Sequence, residues 1–206
     1  MLLSYDFYSR TSLEAAPLLL GKVLTRLQDG KRLSARIVEV EAYMGPDDKA
    51  AHSFGNRKTK RNQVMFGPPG HAYVYMIYGM YYCMNVITSP ENVPHGILIR
   101  AAEPLSGIEH MSLNRYSLPI EALTPSKLRG LTSGPGRLCS AMGIDISLNG
   151  ASLMGPVIYI EEPETNEEFT IESSPRINIP YAQEAADYPW RFYIKGNKYI
   201  SVKTPD

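Results

Sequence analysis

The sequence predicts an α+β protein: one compact domain built on a curved antiparallel β-sheet, with peripheral helices and a protruding β-hairpin. Three observations predict it. Runs with strand character outnumber helical ones, most neighbouring strand runs are joined by turn signals short enough for hairpins, and no regular strand–helix alternation supports a parallel sheet. With 206 residues, 44% of them hydrophobic, the chain can bury one substantial core. No repeat, low-complexity tract or linker divides it, so residues 1–206 read as a single domain.

Thr11-Ser12-Leu13-Glu14 has the form of a capping box, in which the hydroxyl and the carboxylate satisfy each other's backbone amides. It opens a short helix that Pro17 makes irregular and Gly21 stops. Arg32 to Tyr43 reads as a strand closed by Gly45-Pro46-Asp47-Asp48. Its period of two sends Val38, Val40 and Ala42 to one face and Glu39, Glu41 and Tyr43 to the other. Residues 47–70, with four glycines and prolines at their end and no periodicity, read as a long loop with one helical turn, and long ordered loops commonly carry function.

His71 to Ile87 is rich in aromatic and β-branched residues and breaks near Tyr78-Gly79, the outline of a hairpin. Ile97 to Ala101 is a further strand, and Ser106 with Glu109 is placed to cap a helix running towards Tyr116. Ser133-Gly134-Pro135-Gly136 leads into a short helix stopped by Gly143; its N-terminal amides are either an ordinary cap or a place for a phosphate. Trp190 to Ile194 and Lys198 to Val202, around Gly196-Asn197, predict a terminal hairpin.

Lysine plus arginine and aspartate plus glutamate number 21 each, which argues against binding nucleic acid by bulk positive charge. The distribution is uneven. Arg57-Lys58-Thr59-Lys60-Arg61 concentrates cations, whereas Glu161, Glu162, Glu164, Glu167, Glu168 and Glu172 crowd a later segment. Both runs are read as solvated loops, or the first as a local basic face. Cys83 and Cys139 are too few for a disulfide framework and read as buried thiols, and neither they nor His52, His71, His95 and His110 fall at metal-ligand spacings, so no metal and no cofactor is expected. Without a long apolar run or a signal-peptide pattern at the N-terminus, no membrane association is expected and the protein is placed in the cytoplasm.

Breaking the bond between a sugar's anomeric carbon and a ring nitrogen passes through a positively charged sugar, so a carboxylate can both accept a proton from water and stabilise that charge. Glu41, on a strand that ends at the long loop, is the candidate; the alternative is a solvated strand carboxylate or structural ion pair. A base held outside its stack needs rings against its faces, and Tyr43 and Tyr75 could supply them. The alternative is that the tyrosines form core and cross-strand pairs. The hole left in a duplex needs a plug, and Tyr78 beside Gly79 suits it; otherwise it is a turn residue without a partner.

With these residues in view, the sequence resembles the alkyladenine DNA glycosylase family, also called the 3-methyladenine or N-methylpurine DNA glycosylases. The motifs that carry the resemblance run in order: Arg36 to Pro46, Ala50-Ala51-His52-Ser53, Arg57 to Asn62, Tyr73 to Met80, Cys83-Met84-Asn85, Leu98 to Ala101, Ser133-Gly134-Pro135 and Trp190 to Tyr193. They span nearly the whole chain. The resemblance implies that Glu41 positions and deprotonates water, with Arg100 near that water. It implies that Tyr43, His52 and Tyr75 line the pocket for the flipped base, although His52 alone would read as a core histidine. Asn85 matches a residue that screens out guanine by conflict with its exocyclic amine, Tyr78 matches the tyrosine that intercalates in the minor groove, and Arg57, Thr59, Met80 and Tyr81 are expected against DNA.

The family pattern further implies a monofunctional, metal-free enzyme acting on double-stranded DNA that contains damaged purines of the 3-methyladenine, 7-methylguanine, hypoxanthine and ethenoadenine class, in a bacterial minimal form without the N-terminal extension of some larger relatives. A monomer is expected, because asymmetric lesion recognition has no need of two-fold symmetry. Asn178 and Pro180 stand where relatives often carry glycine, which bears on close backbone approach to DNA. Two other classes fit parts of the pattern: a non-catalytic module that binds single strands on a tyrosine platform, and a hydrolase of free nucleosides, which would not need the cluster at 57–61.

Overall fold

The computed structural model describes residues 1–165 and 167–202. In chain order its helices and strands are α1 (Tyr5–Tyr8), α2 (Ser12–Leu19), β1 (Val23–Gln28), β2 (Lys31–Tyr43), β3 (Ala72–Ile77), β4 (Tyr81–Thr88), β5 (His95–Ser106), α3 (Ile108–Tyr116), α4 (Pro125–Arg129), α5 (Pro135–Ala141), β6 (Ile158–Glu161), β7 (Ile171–Ser174) and β8 (Arg191–Ile194). Among the described residues the eight strands form one curled sheet in the order β3-β4-β5-β2-β1-β6, with β8 joining β2 and β7 joining β8; all of these pairings are antiparallel. This is the α+β class that the sequence predicts.

The centre of the sheet is β2. One edge pairs with β5 along most of its length; the other pairs first with β1, over Lys31 to Arg36, and then with β8, over Glu39 to Glu41. Between these stretches the register with β5 slips twice: Ile37 opposes Ala102, Glu39 opposes Ala101 and Val40 opposes Ile99, so Val38 and Arg100 are each left without an opposite residue. Such paired bulges re-aim side chains. Before them Leu33, Ala35 and Ile37 face the main core; after them Val38, Val40 and Ala42 do, and the odd-numbered residues Glu39, Glu41 and Tyr43 pass to the other face. The predicted face assignment at 38–43 therefore holds.

Two faces with different tasks result. Ala72, Val74, Met84, Val86, Ile97 and Ile99 join the main core beneath α2 and α5, while their alternates Tyr73, Tyr75, Cys83 and Leu98 form a second apolar cluster with Met65 and Phe66 of the loop. The Thr11 capping box is present, with Thr11 N–H donating to Glu14 at 3.0 Å.

Several expectations need correction. The segment 198–202 is not a strand: β8 finds its partners in β2 and β7, and this segment is held instead by Ser201 on Glu39 and the Val202 carbonyl on Arg191. The helix after β5 begins at Ile108 behind Gly107, in the left-handed region, and Ser106 is still strand, its hydroxyl spent on Ser34 at 2.7 Å; Glu109 accepts instead from the Ile120 amide at 3.0 Å. A Cβ at Gly107 would meet the Arg32 carbonyl at 2.7 Å, so backbone crowding sets that boundary. The connection from β2 to β3 opens on a 3₁₀ turn at Gly45–Asp47, and the long loop holds two more, Phe54–Asn56 and Gln63–Phe66, where one helical turn was expected.

Ile99 lies fully buried against the strand that carries Glu41. Ile99→Ala is expected to cost about 2–5 kcal/mol, the range for a large-to-small change in a packed core, read as a lower urea midpoint at unchanged slope; a loss below the Ile→Val range would show that the sheet's core face is not packed as described.

Candidate active site

The second face of the sheet floors a cleft of about 370 Å³ whose walls include Glu41 and Tyr43 from β2, Tyr75 from β3, Cys83 and Asn85 from β4, Leu98 and Arg100 from β5, and His52 from the loop. One rim is the Tyr78–Tyr81 end of the β3–β4 hairpin with Gly134 to Arg137 of α5; the opposite rim is the segment Ile177 to Tyr181. Period-two alternation on four adjacent strands gathers these side chains on one surface.

Glu41 sits at the floor with no solvent-exposed surface. Its Oε2 accepts from the Tyr43 hydroxyl at 2.8 Å, its Oε1 from the Ile177 amide at 2.7 Å, and Arg100 Nη1 stands 3.3 Å from Oε1. Arg100, on its bulge, donates through Nε to Glu39 at 2.9 Å. Glu39 is itself buried and takes a second guanidinium, Arg191 Nε at 2.7 Å, the Ser201 hydroxyl at 2.8 Å and the Ser201 amide. Burial alone would raise the Glu39 pKa, but Arg100, Arg191 and the Ser201 amide outweigh it and hold the carboxyl below its ordinary range. Burial likewise works against the charge on Arg100, and Glu41 with Glu39 more than compensates.

The aromatic wall is ordered by mutual contact. Tyr73 and Tyr75 stack with centroids 4.9 Å apart, and the His52 ring meets Tyr75 edge-on at 4.7 Å. His52 Nδ1 lies 3.0 Å from the Tyr73 hydroxyl. Surrounding protein lowers the His52 pKa to about 4, with Arg61 adding to the effect. More than a third of the residue nonetheless remains open to solvent, which favours a smaller depression in the same direction. The imidazole is therefore neutral at pH 7. Burial pushes the Tyr43 and Tyr75 hydroxyls well above their ordinary value and raises Cys83 to about 11, leaving all three protonated. Asn85 is 5% exposed, and its Oδ1 is buried without a hydrogen-bond partner among the described residues.

Tyr78 and Gly79 both adopt positive φ, 51° and 69°, with Met80 N–H donating to Ile77 at 3.2 Å: a type I′ turn with a tyrosine where asparagine or glycine is usual. Tyr78 is 79% exposed, and Met80 and Tyr81 are exposed beside it. Beside β3, where Arg61 Nη2 donates to the Met76 carbonyl at 2.9 Å, the 57–61 cluster is exposed and forms no salt bridge among the described residues. Buried Asn62 shapes it, accepting from Thr59 N and Oγ1 at 2.7 and 3.0 Å and donating to the carbonyls of His52 and Arg57 at 2.9 and 2.8 Å. The acidic segment behaves differently from a solvated loop. Glu161 pairs with Arg32, Glu162 with Lys22, Glu167 with Arg36 and Glu172 with Lys195, so it neutralises cations far from the cleft mouth.

All eleven sequence-named side chains thus fall on the cleft, its rims or the neighbouring basic loop. Sequence reasoning touched the opposite rim only through Asn178 and Pro180 and missed the groups that act from it. Ile177 supplies a donor to Glu41 through its backbone, which no side-chain pattern reveals, and Tyr181 stands 65% exposed at the mouth. Asn178 has φ 59°, so asparagine here occupies a left-handed backbone conformation suited to glycine, one that asparagine adopts more readily than most residues. Cys83 and Cys139 are free and buried, as expected. Among the described residues no group of three or more His, Cys, Asp or Glu could hold a metal ion, and no helix is long and apolar enough to cross a membrane.

A curled antiparallel sheet presenting a buried acid, an arginine and stacked phenols at the floor of an apolar cleft defines a class of site suited to hydrolysis at a flat, aromatic leaving group. Comparison with known proteins makes it specific. Residues 6–198 match the family model of methylpurine-DNA glycosylase. The chain is similar to proteins named "Putative 3-methyladenine DNA glycosylase": 55% identical to one from Alkaliphilus oremlandii, over 98% of this chain and all of that one; 52% identical to one from Bacillus cereus, over 96% and 98%; and 51% identical to one from Desulfitobacterium hafniense, over 98% of each. The chain belongs to the methylpurine-DNA glycosylase family. It is a hydrolase of N-glycosyl bonds that acts on damaged DNA in base excision repair.

Two histidines, His52 and His95, carry a pH consequence. Burial lowers the pKa of both His52 and His95 below the ordinary 6.5, with Asp47 and Asp48 opposing it at His95. The unfolded chain then binds more protons than the folded one below pH 6.5, so their contribution is fully present above 6.5 and lost as pH falls towards the folded values. Urea midpoints are expected to decline from pH 6.5 to pH 4, with a shallower decline in His52→Asn; a flat profile over that window would contradict the neutral assignment.

Proposed function

We propose that the chain is a monofunctional DNA glycosylase that turns an alkylated or deaminated purine out of duplex DNA and hydrolyses its bond to deoxyribose with a water activated by Glu41. The carrying observation is Glu41 itself: a buried acid on the cleft floor, held by Tyr43, Ile177 and Arg100. A carboxylate has about four lone-pair positions, so two donors and a flanking cation leave room for one water. Because Glu41 presents no surface to solvent, that water reaches it when the arriving nucleotide shifts one of the donors, the Tyr43 hydroxyl being the freest to turn.

As the bond between C1′ and the purine nitrogen breaks, its electron pair leaves with the base and positive charge builds on the sugar. The Glu41 carboxylate stabilises that charge and takes the proton of the water whose oxygen bonds to C1′. An alkylated purine of the 3-methyladenine or 7-methylguanine class already carries positive charge and departs neutral. Hypoxanthine and ethenoadenine need protonation as they leave. The relatives' printed names favour the first group.

The other roles follow the geometry. Tyr43 and the Tyr75 wall grip the faces of the flipped base; His52, neutral, and Asn85, with its free buried oxygen, meet its edge. Tyr78 fills the vacated stack, and Met80, Tyr81, Arg57 and Thr59 rest on the duplex, where phosphate contact favours the unpaired cations. The enzyme acts as a cytoplasmic monomer on double-stranded DNA, with 1–206 as its domain.

Duplex DNA bearing one 3-methyladenine-class, hypoxanthine or ethenoadenine lesion, incubated without metal and treated with alkali, is expected to be cut at that position. Glu41→Gln should lower single-turnover excision by about 10²–10⁴-fold, the usual worth of a general base, while lesion-duplex binding persists. An undiminished variant would return the chain to the non-catalytic reading.

Tyr78→Asn separates turn strain from DNA contact. Asparagine tolerates the left-handed conformation better than tyrosine, so the melting temperature should hold or rise. Affinity for lesion duplex should fall roughly tenfold, within the ~1–3 kcal/mol of one lost stacking ring. Unchanged affinity would remove Tyr78 from the DNA interface.

A further inference from the structure

We infer that Arg176 is a positioning residue for excision: one buried guanidinium that sets both the ring of Tyr43 and the amide that holds Glu41. The inference rests on the roles proposed for Glu41 and Tyr43. Arg176 follows β7, and no sequence pattern marks it out.

It is 4% exposed, and its side chain carries no solvent-exposed surface. Nη1 donates to Asp48 Oδ2 at 2.6 Å and to the Ala42 carbonyl at 2.9 Å; Nη2 donates to Asp48 Oδ1 at 2.8 Å and to the Ala185 carbonyl at 3.0 Å. One planar group therefore ties the end of β2, the loop leading to His52, and the chain on either side of the segment that forms the cleft's opposite rim, from Arg176 itself to Ala185. Its carbon lies 4.7 Å from the centre of the Tyr43 ring and 5.0 Å from that of Trp190. Arg176 itself does not line the cleft, so it bears on Tyr43 from outside while the cleft side of the ring stays free for a base.

The next residue completes the link. Ile177 N–H is the donor 2.7 Å from Glu41 Oε1, and its direction is set by the backbone that Arg176 anchors. Asp48 is pinned in turn by the amides of Met44 and Ala50 at 3.1 and 3.0 Å. A buried ion pair contributes little stability over a well-packed apolar pair, so stability alone does not account for one here. What apolar side chains could not do is hold three segments at fixed angles through a rigid fork, and lysine, a point charge without that plane, could not do so either.

The test uses Arg176→Lys and Asp48→Asn in the full chain. Three quantities are read: melting temperature, single-turnover excision at saturating enzyme well below the melting midpoint, and affinity for a duplex carrying an uncleavable tetrahydrofuran abasic nucleotide, which has neither a base to stack on Tyr43 nor a charge to meet Glu41. Excision is expected to fall about 10- to 100-fold in both variants, as for a misplacement near 1 Å, while abasic-duplex affinity stays at the wild-type value. Excision that recovers fully on cooling, in step with the folded fraction, would show a structural role only and overturn the inference. Wild-type excision in both variants beside an inactive Glu41→Gln would overturn it and leave the proposed function standing. An active Glu41→Gln would overturn the proposed function and this inference with it.

Discussion

The structure depends on keeping acidic side chains inside the protein and answering each with donors. Glu39 and Glu41 sit two residues apart on one strand, both without exposed surface, and Arg100 spans them. An unanswered buried charge is costly, and a half-satisfied polar cluster is worse than an apolar one. Here the donors come from distant parts of the chain: Arg100 from β5, Arg191 from β8, Ile177 from the segment between β7 and β8, and Ser201 near the end. The sheet has to close in its observed order to bring them together.

The paired bulges at Val38 and Arg100 make that closure compatible with a dry core. They reverse which alternate residues of β2 face inward, so the strand keeps an apolar row against the main core in both halves while Glu41 and Tyr43 turn to the cleft side in the second. A regular strand would have to bury Glu39 and Glu41 in the apolar layer or turn Leu33, Ala35 and Ile37 out of it. The bulges remove the conflict at the expense of two ladder positions.

Charge is segregated to similar effect. The glutamates at the end of β6 and beyond it neutralise Lys22, Arg32 and Arg36, while the 57–61 cluster forms no salt bridge among the described residues. A chain of zero formal net charge thereby presents a local cationic surface. The exposed tyrosine of the I′ turn and the unpaired Asn85 oxygen are local conflicts of the kind that folded proteins keep at working sites.

Period-two alternation on β2 was enough to place Glu41 with Tyr43, because side-chain direction in a strand is a local property. The capping box, the hairpin turn and the antiparallel character were likewise local and were read correctly. The terminal hairpin was misread because strand pairing is a tertiary choice: β8 gains more by extending β2 and receiving β7 than by folding back on 198–202. Ser106 was misread as a cap because the strand kept its hydroxyl. The register slips at Val38 and Arg100, the Arg176–Asp48 clamp and the Ile177 amide have no sequence signature, since each is fixed by backbone groups and charges that meet only when segments far apart in the chain are packed together.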